Sequence, residues 1–167
     1  MTKYAIQALS KNHIKKDFVC RHESLQRYIR ELAKQDSKRN LSMCYVLVGE
    51  DQVVTGYYTL SNTVLLSEQL PGSQQGSPGN AYKQLPATLI GRLAVDDHFR
   101  KRGFGKKLLL DGLLRSYEVS QTIASFAVVV DYLDLEAKEF YLKFGFIELD
   151  DRKRLYLPMD SIKDIFS

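Results

Sequence analysis

The sequence lacks any apolar run that approaches the ~18 uncharged residues of a membrane-spanning helix. Its first residues also lack the apolar core of a signal peptide, and they become basic where a cleavage site would fall. These two absences predict a cytoplasmic protein with no membrane partner. Hydrophobic residues make up 44% of the chain, which excludes a disordered protein. The length of 167 residues favours one domain over two, and we expect that domain to span residues 1–167.

Residues that bind metals are few and badly spaced. The chain has only two cysteines, Cys20 and Cys44, and three histidines. Two thiols in a chain predicted to be cytoplasmic do not form a disulfide framework, so buried reduced cysteines are expected. No Cys-x-x-Cys pair occurs and the histidines show no ligand spacing, so the sequence predicts no metal site.

Basic residues outnumber acidic ones in the first quarter of the chain but not in the remainder. Residues 1–40 hold ten Lys and Arg against four Asp and Glu, a net charge of +6. Residues 41–167 hold fourteen against sixteen, a net charge of −2. This asymmetry is typical of a region that meets a polyanionic partner, although an ordinary solvated basic face has the same pattern.

The basic quarter contains a predicted amphipathic helix at about residues 24–38. Apolar residues recur there at helical spacing, while Arg27, Arg30 and Lys34 lie on another face. We expect the apolar stripe to pack on the core. The stripe consists of Leu25, Tyr28, Ile29 and Leu32.

The rest of the chain predicts a mixed α/β sheet of six or seven strands flanked by helices. Alternating and β-branched patterns predict strands at 43–48, 53–60, 63–66, 87–95, 125–131, 146–149 and 154–157. Helical patterns follow at 104–117 and from Asp134, a predicted N-cap, to Phe144, with Gly145 as the stop. Turns are expected at 49–52 and 150–153, and the Ser-, Gln-, Gly- and Pro-rich segment 67–85 predicts a long loop.

A basic loop with two glycines joins the strand at 87–95 to the next helix. Its sequence is Arg100-Lys101-Arg102-Gly103-Phe104-Gly105. Unpaired backbone N–H groups at a helix N-terminus bind phosphate, and glycine lets the backbone approach the anion. The loop matches neither a Walker loop nor a Rossmann fingerprint. By itself it predicts either a phosphate site or an ordinary helix start.

This loop resembles the acetyl-CoA loop of the GNAT N-acetyltransferase superfamily, (Gln/Arg)-x-x-Gly-x-(Gly/Ala), within an acetyl-CoA motif at 93–107. Downstream, Asp134-x-x-Ala137-x-x-x-Tyr141-x-x-x-Gly145-Phe146 resembles that family's second signature, at 131–146. The resemblance implies a GNAT fold and acetyl-CoA as co-substrate. The residues that it implies for acetyl-CoA binding are Leu93, Ala94, Val95, Arg100, Lys101, Arg102, Gly103, Phe104, Gly105, Lys106 and Asp134. Asp134 is also explained by helix capping alone.

Shorter matches resemble the TacT- and AtaT-type GNAT toxins of bacterial type II toxin–antitoxin systems. They are Gly91-Arg92-Leu93-Ala94-Val95-Asp96, Val130-Asp131, Phe140-Tyr141 and Leu155-x-Leu157-Pro158-Met159. This resemblance implies acetylation of the amino acid on aminoacyl-tRNA, which blocks translation, and a separate ribbon-helix-helix antitoxin as partner. The candidates for contact with tRNA are Arg27, Arg30, Lys34 and Arg92. A homodimer stays open on general grounds.

The family motif assigns Tyr141 as the catalytic acid that protonates the leaving CoA thiolate. The family also implies that a backbone N–H near Val95 stabilises the oxyanion. No general base stands out, and Glu68, Asp96 and Asp131 stay open. An α-amine, about a tenth neutral at pH 7, needs less help than a lysine at roughly 0.04%. Two alternatives remain: acetylation of a small amine, peptide or protein terminus, and a non-catalytic acyl-CoA-binding module.

Overall fold

The computed structural model describes residues 3–72, 82–150 and 153–167. The strands are β1 Ala5–Ala8, β2 Met43–Val48, β3 Val54–Leu66, β4 Gln84–Ile90, β5 Leu93–Val95, β6 Ala127–Asp131, β7 Ile147–Glu148 and β8 Arg154–Pro158. The α-helices are α1 Glu23–Arg27, α2 Ala33–Lys38, α3 Phe104–Ser120, α4 Leu135–Lys143 and α5 Met159–Ile165. In these residues, no helix has the length and apolarity that crossing a membrane requires.

The strands form a mixed sheet in the order β1-β2-β3-β4-β6-β8-β7, with β5 paired to β3. The β4–β6 pair is parallel, whereas β2–β3 and β6–β8 are antiparallel. The predicted mixed α/β sheet flanked by helices is therefore confirmed, with eight strands in place of six or seven.

Three features account for the difference in strand number. β1 was not predicted, because its apolar and polar residues alternate weakly. In the structure only one of its four residues is half-buried. The predicted strand 87–95 divides into β4 and β5 at Gly91 and Arg92. Residues 63–66, predicted as a strand of their own, continue β3, which runs for 13 residues. Helix α5 was not predicted either.

The chain divides into two compact units. The first unit contains residues 1–61 and 92–112, and the second contains residues 62–91 and 113–167. Each has its own core. The core of the first includes Phe18, Tyr28, Ile29, Ala33, Cys44 and Tyr57. That of the second includes Leu65, Leu85, Ala127, Val129 and Tyr156.

Two predicted connections lie partly outside the described residues. Within the predicted loop 67–85, residues 67–69 form a short 3-10 helix, β4 begins at Gln84, and residues 73–81 are not described. The predicted turn 150–153 includes residues 151 and 152, which are not described, but β7 and β8 form the expected hairpin. The turn at 49–52 likewise joins antiparallel β2 and β3.

The N-terminal helix is present at the predicted position, but it is not a regular α-helix. Residues Tyr28–Leu32, between α1 and α2, form a π-helical turn. A π turn holds more residues per turn than an α-helix, so the positions after it are rotated around the helix axis. This explains why Leu32, predicted to be in the apolar stripe, is 36% exposed, whereas Ala33 is fully buried.

Candidate functional site

The start of helix α3 presents backbone donors. The Gly103 carbonyl accepts the first helical hydrogen bond, from the Lys107 N–H at 3.1 Å. Gly103 has no side chain to cap the helix, and no described residue accepts from the N–H groups of Phe104, Gly105 or Lys106. These donors and the positive end of the helix dipole favour an anion at this position.

The loop before α3 has the backbone geometry of an anion site. Lys101 and Gly103 adopt positive φ angles of 63° and 77°, and Arg102 between them does not. Such alternation turns successive N–H groups toward one concave surface. A Cβ added at Gly103 would meet nothing within 4 Å, so the space before the helix is open. The exposed cations around it are Arg100, Lys101, Arg102 and Lys106.

Strand β5 holds the loop against the sheet of the first unit. Leu93, Ala94 and Val95 pair antiparallel with residues 56–58 of β3. A Cβ on Gly56 would lie 2.8 Å from Leu108 Cδ1 and 3.2 Å from the Ala94 carbonyl oxygen, so only glycine lets α3 pack this closely on β3. The strand–loop–helix unit that the sequence predicted is therefore observed, and its uncapped donors and exposed cations fit the phosphates of acetyl-CoA.

Asp96, one candidate general base, is occupied by structural hydrogen bonds. The carboxylate is buried and accepts from the Val19 N–H at 3.1 Å and from the His98 N–H at 2.8 Å. It also pairs with His98 Nδ1 at 2.9 Å. With both oxygens engaged, Asp96 links the segment before the N-terminal helix to the end of β5. This arrangement favours a structural role over that of a base.

Arg92 does not lie within a strand, although the sequence predicted a continuous strand at 87–95. It occupies the break between β4 and β5, where its carbonyl accepts from the Thr59 N–H at 3.0 Å. Its guanidinium carbon lies 3.6 Å from the centroid of the Tyr28 ring. Arg92 is half-buried.

The three cations of the N-terminal helix differ in their surroundings. Arg27 and Lys34 are exposed, and Arg27 Nε pairs with Glu31 at 2.8 Å. Arg30 is half-buried, and its Nε donates to the Phe18 carbonyl at 2.9 Å. Arg30 is therefore less accessible than Arg27 and Lys34, because its side chain is hydrogen-bonded to the segment that precedes the helix.

Tyr141 lies in α4 of the second unit and is 3% exposed. Burial, and then the negative charge of Asp131, raise the pKa of its phenol well above the usual value. Its ring packs against Phe140 and Phe146. No described residue hydrogen-bonds to its hydroxyl, so the phenol is neutral near pH 7 and available as a donor.

The candidate carboxylates of the second unit, Asp131, Asp134 and Glu68, have partners. Asp134 Oδ1 accepts from the Ala137 N–H at 2.8 Å, which confirms the predicted N-cap of α4. Asp131 Oδ1 accepts from Arg154 Nε at 2.7 Å. Gly145, with φ of 96°, ends the helix as expected. Glu68 lies in the 3-10 helix after β3. In the described part of the chain, no three metal-ligating side chains come together.

The first unit thus contains Arg27, Arg30, Lys34, Arg92 and the whole segment 93–106, and the second unit contains Asp134 and Tyr141. Sequence reasoning missed the polar contacts of Tyr28, because its position in the apolar stripe predicted only core packing. In the structure, Asp36 accepts a hydrogen bond from the Tyr28 hydroxyl at 2.9 Å. An acidic residue eight positions after the tyrosine was the only sign of this contact in the local sequence.

Comparison with known families and structures gives a consistent result. The family model for the acetyltransferase (GNAT) domain matches residues 40–148. A protein of Mycobacterium tuberculosis (strain ATCC 25618 / H37Rv) named tRNA-acetylating toxin is 32% identical over 136 residues, 81% of this chain and 79% of that protein.

Two solved structures are similar over nearly the whole chain. A point mutant of KacT superposes with a TM-score of 0.90 at 28% identity, covering 98% of this chain and 99% of that chain. A complex of AtaT with acetyl-methionyl-tRNAfMet gives a TM-score of 0.89 at 25% identity, covering 99% and 100%.

Proposed function

The chain belongs to the GNAT acetyltransferase family, and we propose that it transfers the acetyl group of acetyl-CoA to the α-amine of aminoacyl-tRNA and so blocks translation. The observation that carries this proposal is the 32% identity, over most of both chains, to a protein named tRNA-acetylating toxin. The similarity to AtaT, solved with an acetylated aminoacyl-tRNA, supports the same substrate class.

The loop before α3 binds the pyrophosphate of acetyl-CoA. The N–H groups of Phe104, Gly105 and Lys106 have no acceptor among the described residues, and the exposed cations at 100–102 add positive charge beside them. Together they bind the pyrophosphate. A backbone N–H of Val95 or its neighbour then donates to the oxygen of the tetrahedral intermediate. Asp134 caps α4 and stays a candidate for contact with the pantetheine arm.

Tyr141 serves as the catalytic acid. The amine nitrogen forms a bond to the acetyl carbon, the carbon–sulfur bond breaks, and the thiolate takes the phenolic proton. The raised pKa keeps that proton in place until sulfur accumulates charge. The proton released by the amine passes to solvent and the Tyr141 phenolate takes a proton back from solvent, so the transfer is balanced.

An α-amine suits this mechanism, because it loses its proton easily near neutral pH. An α-amine with a pKa of about 7.7–8.0 is roughly a tenth neutral at pH 7, some two hundred times more than a lysine side chain. Asp96 and Asp131, two of the three candidate bases, are engaged by hydrogen bonds. With these two carboxylates engaged, an α-amine is the better-suited substrate, because it needs less help to lose its proton.

The biological setting follows from the same family. We expect residues 1–167 to act as one domain in the cytoplasm, with a ribbon-helix-helix antitoxin as partner, and a homodimer remains open.

The test compares substrates under one assay. Radiolabelled acetyl-CoA is incubated with the protein and either an aminoacyl-tRNA pool, the same free amino acids, or peptides with free N-termini. Label in acid-precipitable aminoacyl-tRNA supports the proposal, and label only in a free amine or peptide assigns the alternative substrate class. Tyr141→Phe should lower kcat on the order of 10²–10⁴-fold. Tyr156→Phe is the matched control, because it removes a buried hydroxyl that has no partner in the structure.

A further inference from the structure

Three side chains of the first unit form a continuous arrangement, the Asp36–Tyr28–Arg92 stack. Asp36 accepts a hydrogen bond from the Tyr28 hydroxyl at 2.9 Å. The guanidinium carbon of Arg92 lies 3.6 Å from the centroid of the Tyr28 ring. Tyr28 is 2% exposed and begins the π-helical turn of the N-terminal helix. The stack therefore joins that helix to the break between β4 and β5.

The guanidinium in this stack has a face partner but no described edge partner. No carboxylate or carbonyl of the described residues accepts from its N–H groups. A ring face attracts the cation through its quadrupole, which offsets part of the cost of burying the charge. A ring contact uses the flat face of the guanidinium and leaves the donors around its edge available.

Both the backbone and the side chain of Arg92 are held in place. Its carbonyl is held by the Thr59 N–H at 3.0 Å, and Thr59 is itself buried in β3. Its guanidinium is held by a ring whose own orientation depends on the bond to Asp36. Burial, together with that hydrogen bond, raises the pKa of Tyr28 to about 12, so the hydroxyl keeps its proton and the bond persists at neutral pH.

We propose that Tyr28 is a positioning residue that presents the edge of the Arg92 guanidinium to a phosphodiester of the bound RNA. The inference rests on the proposed function, in that the RNA is the substrate. A planar fork with its donors exposed matches two oxygens of one phosphate, and this bidentate geometry distinguishes arginine from lysine. The predicted contact with tRNA thereby becomes a defined one, in which Asp36 orients Tyr28 and Tyr28 orients Arg92.

The arrangement predicts how single variants behave. Arg92→Gln should raise KM for aminoacyl-tRNA about tenfold or more, the effect of losing hydrogen bonds to a charged group. Tyr28→Leu removes the ring and should raise KM similarly, whereas Tyr28→Phe keeps the ring face but loses the bond to Asp36 and should raise KM less. Arg92→Lys should recover little, because an ammonium cannot form the fork.

A double-mutant cycle separates positioning from a purely structural role. If Tyr28 acts through Arg92, adding Tyr28→Leu to Arg92→Gln should raise KM less than twofold further. Independent effects that multiply in the double variant would overturn the proposal. Tyr45→Leu is a matched control, since it removes another stacked tyrosine of the same unit and should leave KM unchanged.

Binding without catalysis makes the result independent of the enzymatic assay. Anisotropy with labelled deacylated tRNA should show that Arg92→Gln weakens binding and lowers the slope of log K against log salt by about 0.7–0.9. An unchanged slope overturns the inference, and this variant keeps it falsifiable if Tyr28→Leu fails to fold. If deacylated tRNA binding responds but no aminoacyl-tRNA is acetylated, the proposed function fails while the RNA contact stands.

Discussion

At the scale of single residues, His13 shows how one protonation state is built into the fold. The side chain is buried, and its Nδ1 accepts from the Ser10 N–H at 2.9 Å. Its Nε2 lies 2.9 Å from the side-chain amide oxygen, Oε1, of Gln7 and donates to it. Nδ1 therefore cannot carry a proton without losing the Ser10 bond, and burial lowers the pKa of the imidazole.

This geometry predicts a pH dependence of stability. The unfolded chain, with an ordinary histidine pKa of about 6.5, binds a proton before the folded chain does. The contribution of His13 to the free energy of unfolding is therefore complete above about pH 7 and is lost as the pH falls below 6.5. Urea denaturation at pH 8.0 and pH 5.5 should show a loss that is larger than in His13→Asn, on the order of 1 kcal/mol. Equal losses in the two proteins would contradict the assignment.

Residues whose role is local could be predicted from the sequence. Asp134 and Gly145 act on the helix that they flank, so the sequence pattern at each end of that helix predicts both the cap and the stop. Tyr28 and Arg30 could not be predicted in this way. Their partners, Arg92 and the Phe18 carbonyl, are set by tertiary structure 64 and 12 positions away in the chain.

At the scale of elements, the loop before α3 yields a test that separates strain from charge. Gly103→Glu places a carboxylate before the uncapped helix and should weaken acetyl-CoA binding at least tenfold in calorimetry, about 1.4 kcal/mol. Gly103→Ala shares the strain at positive φ but adds no charge, so its loss should be smaller.

Gly72→Glu is the control for net charge, because a Cβ there meets nothing within 4 Å and the residue lies outside the loop. Wild-type affinity in a folded Gly103→Glu variant would refute the assignment of residues 100–105 as the pyrophosphate site.

Elements whose hydrophobic residues follow one period throughout were predicted well. Elements that a break or a π turn interrupts were not. The leucine-rich α3 and the β-branched β6 match their predicted positions closely. The break at Gly91 and Arg92 was missed because both flanks are apolar, and no local signal marks where β4 turns to its parallel partner β6 and β5 to β3. The π turn was missed because a helical pattern assumes 3.6 residues per turn throughout.

At the scale of the whole molecule, the net charge of +4 hides a basic first quarter that should govern RNA affinity. Arg27→Ala with Lys34→Ala removes two exposed cations without disturbing the Arg30 hydrogen bond. The slope of log K for tRNA binding against log salt should fall by about 1.4–1.8, because fewer counterions are released.

The pair Lys143→Ala and Lys163→Ala gives the same change in net charge from exposed positions in the second unit. Both double variants should keep wild-type affinity for acetyl-CoA. If the two pairs change the salt slope equally, the N-terminal helix has no special part in binding RNA.

The rate at which the buried Cys44 thiol is modified should report how often the core around it opens. The thiol is 1% exposed, shares a core with Tyr28, Ile29 and Ala33, and burial raises its pKa to about 12. Alkylation requires both access and a thiolate, so a maleimide or disulfide reagent reacts with Cys44 only when the core beneath the N-terminal helix opens. Cys20 is half-buried and should be modified first. The slower labelling phase then measures, without any introduced probe, how often the helix lifts from the sheet and whether bound RNA holds it down.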